Sequence, residues 1–264
     1  MIELFATRTH FDYHNAAVIA DLQAWLADAH LELYSVHAPI VESFTAGQWG
    51  PPLNIASANA EARQRALGEA ELALQIARRI PYRVLVVHLG VPKTPQSVAG
   101  ENSRDAARRS IEVLQRQAEP LGVTVAVEVL PNDLSRPAAL VYFVEQVLED
   151  APVGICFDFG HAHMSDDVVD GIETVSEHLI STHVHDNRGR SDDHLLPFEG
   201  TIDWPAAMIG LQKVGYEGPL VFEIPQGRDL SPGGSRDAGA QGTTKATLHK
   251  RRGVRQRIER MLMP

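Results

Sequence analysis

The chain is expected to form an α/β barrel of parallel strands, the (β/α)8 or TIM-barrel class, one unit short of the full set. Three observations lead there. Short apolar runs alternate with stretches of helical periodicity over most of the length. The runs are near-continuous in Val, Ile, Leu and Phe, the texture of strands buried on both faces. Each run also carries a residue able to ligate a metal: IELFAT has Glu3 and Thr7, LYSVHAP His37, VLVVHLG His88, VAVEVLP Glu128, GICFDFGH Asp158 and His161, STHVHD His183 and His185, and LVFEIP Glu223. Parallel barrels collect their chemistry from strand C-termini at one mouth, so the repetition outweighs any single histidine.

The elements follow in order. IELFA reads as a strand and NAAVIADLQAWLADA as a helix, with Val18, Leu22, Trp25 and Leu26 at helical spacing. LELYSVH is the next strand, and TAGQWGPPLN reads as a loop. Ser57 and Asn59 are N-cap candidates for ANAEARQRALGEAELALQIARRI, which leads to strand RVLVVH. Asn102 and Ser103 are cap candidates for NSRDAARRSIEVLQRQAEPL, followed by strand VTVAVEV. Pro137 opens the helix RPAALVYFVEQVLED, since proline suits a first turn. VGICFDF, SDDVVDGIETVSEHL, ISTHVHD, DWPAAMIGLQKVG and PLVFEI complete the alternation. That makes seven strands where a closed barrel has eight. The missing unit is expected to be the first, because the chain starts almost at once with a strand.

The two-residue period sorts the strand faces. His183 and His185 lie opposite Val184, Glu128 sides with Ala126, and Glu223 with Val221. The ligand-type residues thus share the less bulky face, which suits a lumen. Residues 1–230 are assigned to the barrel. Residues 231–264 are expected to be a Gly/Ser/Thr-rich loop and a basic tail or helix exposed to solvent.

Composition narrows the functions. A net charge of −10 argues against a nucleic-acid binder, which needs a broad basic surface. No apolar stretch has the length of a membrane span, and the start lacks a signal-peptide pattern, so a cytoplasmic protein with no membrane partner is expected. The single cysteine, Cys156, rules out an internal disulfide and a Cys-rich zinc site. Oxygen and nitrogen ligands suit Zn, Mn, Co or Mg. The candidates are His37, His88, Glu128, Asp158, His161, His183, Asp192, His194 and Glu223. Carboxylates embedded in apolar strands are costly unless paired or metal-bound, which makes Glu128, Asp158 and Glu223 the strongest pointers to a metal site.

The segments IELFATRTHFDYH, SVHAP, LVVHLG, EVLPN, FDFGHAH, HVHDNRGRSDDHLLPFEGTIDW and LVFEIP together resemble the xylose isomerase-like barrel superfamily, over roughly residues 1–225. That superfamily groups sugar isomerases and epimerases with metal-dependent apurinic endonucleases. The resemblance implies a core divalent metal held by Glu128, Asp158, His183 and Glu223. His37, His88, His161, Asp192 and His194 match the further ligands of the three-metal endonuclease branch. The surrounding residues favour the isomerase branch: APIVESFTAGQWGPP lacks the endonuclease Tyr- and Asn-bearing stretch, and DFGHA and HVHDNRGRSDDHLLPFEGTIDW have the isomerase form. The usual LPPGEG is replaced by Leu196-Pro197-Phe198-Glu199-Gly200.

What the resemblance implies is proton transfer next to a carbonyl through a metal-stabilised enediolate. Glu128 and Glu223 would act as base and acid, and His161, His185 and Arg188 or Arg190 would hold substrate oxygens. The leading reading is a metal-dependent sugar or polyol isomerase or epimerase. The alternatives are a dehydratase on the same site, of inosose or dehydroshikimate type, a three-zinc apurinic endonuclease, and a non-catalytic metal-binding member. An open seam left by the missing unit would invite a homo-oligomer.

Overall fold

A computed structural model describes residues 1–148, 151–165, 167–224, 253, 254, 256–258 and 261. In chain order, β1 (Ile2–Phe5) leads to α1 (Ala16–Asp28) and β2 (Leu33–His37). A small hairpin of β3 (Phe44–Thr45) and β4 (Gln48–Trp49) precedes α2 (Ala60–Gln75). Then come β5 (Val84–Val87), α3 (Arg104–Ala118), β6 (Thr124–Glu128), α4 (Pro137–Tyr142) and β7 (Val153–Asp158). The sequence continues with α5 (Phe159–Ser165), α6 (Val168–Val175), β8 (Leu179–Val184), α7 (Trp204–Lys213) and β9 (Val221–Phe222).

The caps fall where the side-chain chemistry asks for them. Asn15, Asn59, Ser103, Asp167 and Asp203 each accept a backbone N–H in the first turn of their helix. Pro137 occupies the first turn of α4, as its missing N–H allows.

The seven long-range strands form one parallel sheet in the order β1-β2-β5-β6-β7-β8-β9. Helices cover its outside, giving a nearly closed barrel of the expected class. Among the described residues β1 and β9 share no ladder, so the seam lies between them. Two pairings skip one residue: Tyr34 falls between the β1 partners Leu33 and Ser35, and Ile180 between the β7 partners Leu179 and Ser181. Both skipped side chains pack with Val84, Val86, Ala126 and Cys156, a cluster separate from the main core, which floors the lumen. The Tyr34 hydroxyl donates to Ile180 O at 3.2 Å, joining β2 to β8 directly. Gly154 leaves the room this plug needs, since a Cβ there would lie 2.3 Å from Ile180 Cδ1. The main core fills the space between strands and helices, with Leu85, Val127, Ile155 and Phe157 on its strand side.

Four expectations change. The loop after β2 contains a hairpin, tied to the loop after β1 because Phe44 N donates to Thr9 Oγ1 and Thr9 Oγ1 donates to Phe44 O. His161, expected with Asp158 at the end of the apolar run GICFDFGH, lies instead in α5, because Asp158 turns back to accept His161 N at 2.7 Å. Trp25 is 54% exposed rather than packed, and Leu26 is the buried residue of α1. In the basic end, expected to be exposed to solvent, the described residues include apolar side chains that are covered: Ile258 is fully buried, Val254 and Met261 pack on the core, and Met261 O accepts Gln212 Nε2. Val254, Ile258 and Met261 recur at helical spacing. Most of the expected Gly/Ser/Thr-rich loop lies outside the described residues. No helix among the described residues is long and apolar enough to cross a membrane.

Candidate metal centre

Seen along each strand, the lumen side chains rise from a floor of small or apolar residues to the ligands. On β6 Ala126 is followed by Glu128, on β7 Cys156 by Asp158, and on β8 Ser181 by His183. The register sets Asp158 level with His183, and Glu128 level with Cys156, one lumen position below them. Glu128, Asp158 and His183 are buried, while the side chain of Glu223, just past β9, keeps 18% exposure towards the mouth.

The four residues of the expected core set come together. His183 Nδ1 lies 3.3 Å from Glu128 Oε1, 3.5 Å from Glu223 Oε1 and 3.8 Å from Asp158 Oδ2. None of these approaches has hydrogen-bond geometry, so Nδ1 is a buried nitrogen without a hydrogen-bond partner, facing three carboxylates. Native interiors rarely leave such an atom unpaired unless an ion or water belongs there.

The flanking histidines are set in a way that suits ligands. His37 Nδ1 donates to Ala38 O (2.8 Å), and its Nε2 meets Glu128 Oε2 at 3.0 Å. His161 Nδ1 approaches Val129 O (3.0 Å), leaving Nε2 3.4 Å from Asp192 Oδ2. His194 Nδ1 donates to Glu223 O (2.9 Å) while Nε2 faces Asp192 Oδ2 at 3.0 Å. A backbone carbonyl taking the Nδ1 proton fixes the tautomer and presents Nε2 to the site, the usual arrangement behind a metal-ligating imidazole. His88 Nε2 lies 3.0 Å from Glu128 Oε2. His185 is buried, 3.1 Å from Asp158, and stacked on His194 at 4.0 Å. Its ring fits because residue 160 is glycine: a Cβ there would stand 1.9 Å from His185 Cε1.

Charge makes the same point. Every ion-pair partner of Glu3, Glu128, Asp158, Asp192 and Glu223 among the described residues is a histidine. Burial disfavours charge on Glu128, but His88 and His183 beside it hold its carboxyl well below the usual range. Burial leaves Glu223 raised, with the Glu128 charge adding to the effect. Burial opposes a proton on His183, yet the surrounding acidic groups raise it well above the ordinary histidine range. Asp192 lifts His194 to about 9 against the effect of burial. Acidic neighbours thus raise His37, His161, His183 and His194 against the effect of burial, whereas burial lowers His88; a divalent ion would supply the positive charge and leave the imidazoles neutral ligands. Cys156 stays a thiol, pushed up to about 12 by burial.

Among the described residues five sets have ligand atoms close enough for one ion: His37 with His88 and Glu128, His37 with His183 and Glu223, Glu128 with Asp158 and His183, Asp158 with His161 and His185, and His185 with His194 and Glu223. Oxygen and nitrogen donors at these spacings fit a divalent cation. Arg188 and Arg190 are exposed instead, and the Arg188 guanidinium donates to Glu199 O.

Sequence reasoning passed over Asp186, which organises the 187–204 loop. Its carboxylate accepts Asn187 N, Phe198 N, Ile202 N and Trp204 Nε1. It also passed over the reason for the LPFEG change. Phe198 sits at φ 73, the left-handed region favouring glycine, and precedes Glu199-Gly200 as glycine does in LPPGEG. The Arg257 guanidinium covers its ring at 3.8 Å. His194 is held at φ 46, an unusual backbone for a non-glycine residue, as site residues often are.

The comparisons agree with this picture. A model of the xylose isomerase-like TIM barrel family matches residues 1–246. The protein y4fM of Sinorhizobium fredii is 30% identical over 217 residues, 77% of this chain and 70% of that protein. MJ1311 of Methanocaldococcus jannaschii is 28% identical over 74% of this chain and 65% of its own length. Among solved structures, a D-tagatose 3-epimerase-like protein superposes with a TM-score of 0.75 at 22% identity, covering 98% of this chain and 88% of that one. The IolI protein with a bound zinc atom gives 0.73 at 16% identity, covering 99% and 88%. At these identities the structures show a shared fold. With a family model matching nearly the whole length, the chain belongs to the xylose isomerase-like TIM barrel family.

Proposed function

We propose that this protein is a divalent-metal-dependent isomerase or epimerase of a small sugar or polyol, acting by proton transfer beside a carbonyl. The observation that carries the reading is the His183 Nδ1 atom facing Glu128, Glu223 and Asp158 with no hydrogen-bond partner. Glu128, Asp158, His183 and Glu223 would hold the ion, which when bound supplies the positive charge that acidifies a C–H next to a carbonyl. Glu128 is enclosed at the end of β6, and Glu223 reaches in from the mouth side past β9. Two carboxylates entering one centre from separate strands provide a base to take the proton and an acid to return it. His161 and His185, both buried beside Asp158, are placed to orient substrate oxygens. The solved epimerases of this fold support the same chemistry, and the net charge of −10 supports a small substrate over nucleic acid.

The test is solvent exchange. Incubated with a keto sugar and a divalent metal in heavy water, the protein should place deuterium on the carbon beside the carbonyl. Glu128→Gln and Glu223→Gln should each lower the rate by about 100- to 10,000-fold. Exchange persisting in both variants removes these residues from the reaction. Loss of water in the product would identify a dehydratase on the same centre.

A second reading has its own observation. His37 and His88 flank Glu128 on one side, and His161, Asp192 and His194 gather on the other. That supports more than one ion and, with it, hydrolysis of a phosphodiester at an abasic site. Three ions per chain by elemental analysis, with nicking of abasic duplex DNA, would replace the isomerase reading.

A further inference from the structure

We propose that Glu3 is the positioning residue for His183, holding its Nε2 side so that Nδ1 faces the metal position. The inference rests on the divalent-ion reading of the centre and assigns a residue that the ligand set leaves out.

The argument starts from an exception among the histidines. His37, His161 and His194 each direct Nδ1 at a backbone carbonyl and Nε2 at the site. His183 is reversed. Its Nδ1 faces the carboxylates, and no backbone carbonyl takes its other nitrogen. What stands there is Glu3, with Oε1 3.0 Å from Nε2. The contact is close but out of line for a hydrogen bond. The Glu3 side chain is 7% exposed, and its second oxygen accepts the Ser35 hydroxyl at 2.6 Å. Ser35 is the register partner of Glu3 on β2, so the sheet itself sets that bond. Glu3 thus has one oxygen fixed by Ser35 and the other beside Nε2, where a small turn of the ring lets it accept a hydrogen bond from the Nε2–H. A carboxylate behind a ligating imidazole fixes its tautomer and raises its basicity.

Topology gives the contact a second consequence. Glu3 lies on the edge strand β1 and His183 on β8, next to the opposite edge. The pair spans the seam where, among the described residues, no ladder joins the strands.

The experiment measures metal affinity rather than turnover. Zn2+ binding to the full chain is titrated by competition with a chelating dye, for wild type, Glu3→Gln and Ser35→Ala, alongside apo thermal melts. Glu3→Gln should weaken the tightest site by about 10- to 100-fold with the apo Tm little changed. Ser35→Ala should weaken it less, in the same direction. Unchanged affinity in Glu3→Gln overturns the proposal and leaves the metal reading standing. No Zn2+ binding by wild type overturns both. Should Glu3→Gln fail to fold, ring 15N shifts of His183 in Zn2+-loaded wild type decide the matter. A proton on Nε2 with a metal-shifted Nδ1 supports the assignment, and the reverse pattern overturns it.

Discussion

The wall from β5 to β7 and the seam between β9 and β1 are built by different means. The wall strands have a ladder on each side; β5 and β7 are buried throughout, and β6 is buried from Val125 to Glu128. The seam strands have one ladder each and are half-buried along their length. Side chains of the lumen take over where the backbone stops: Glu3 meets His183, Tyr34 donates to Ile180 O, and His194 donates to Glu223 O. Ladders hold the wall, whereas across the seam the described contacts are side chains of the lumen, and a bound ion would tie Glu223 at one edge to ligands on the interior strands.

This contrast can be broken most directly by truncation. Phe157, fully buried on β7, packs against Phe159, and Phe157→Ala should cost about 3–5 kcal/mol in urea denaturation. Phe222→Ala, on half-buried β9, should cost clearly less. Equal losses would erase the difference between wall and seam. Zn2+ at about 100 times its Kd should add about 2.7 kcal/mol of stability. Amide exchange should then slow more in β1 and β9 than in β5 and β7, and uniform slowing would contradict a seam held by the site. The smallest effect expected is that of Tyr34→Phe, which removes one hydrogen bond between β2 and β8 and should cost about 0.5–1.5 kcal/mol. A loss confined to that range with intact Zn2+ affinity would place Tyr34 in the floor and not in the centre.

Much of this was legible in the sequence because barrel strands announce themselves twice, by apolar continuity and by a ligand at the end. Glu128, Asp158 and Glu223 stand out before any coordinates, since a buried carboxylate demands a partner, while their grouping with His183 is what the family resemblance implies. Glu3 could not be given its role, because its partner is far away in the chain and meets it only when the sheet curls. The skipped residues Tyr34 and Ile180 were hidden for a related reason: a strand's own sequence does not reveal where its neighbour gains one residue. α5 was missed because Asp158, taken as a ligand, also caps the turn that starts that helix. Ile258 looked solvated among basic neighbours until α7 gave its face something to cover.

The central claim is that Glu128, Asp158, His183 and Glu223 hold one divalent ion inside the barrel. Diffraction from crystals grown with Zn2+, recorded at the zinc absorption edge, tests it most directly. The account expects an anomalous peak about 2.0–2.2 Å from His183 Nδ1 and from one oxygen of each carboxylate. A zinc-saturated crystal with no peak among those four side chains would contradict it.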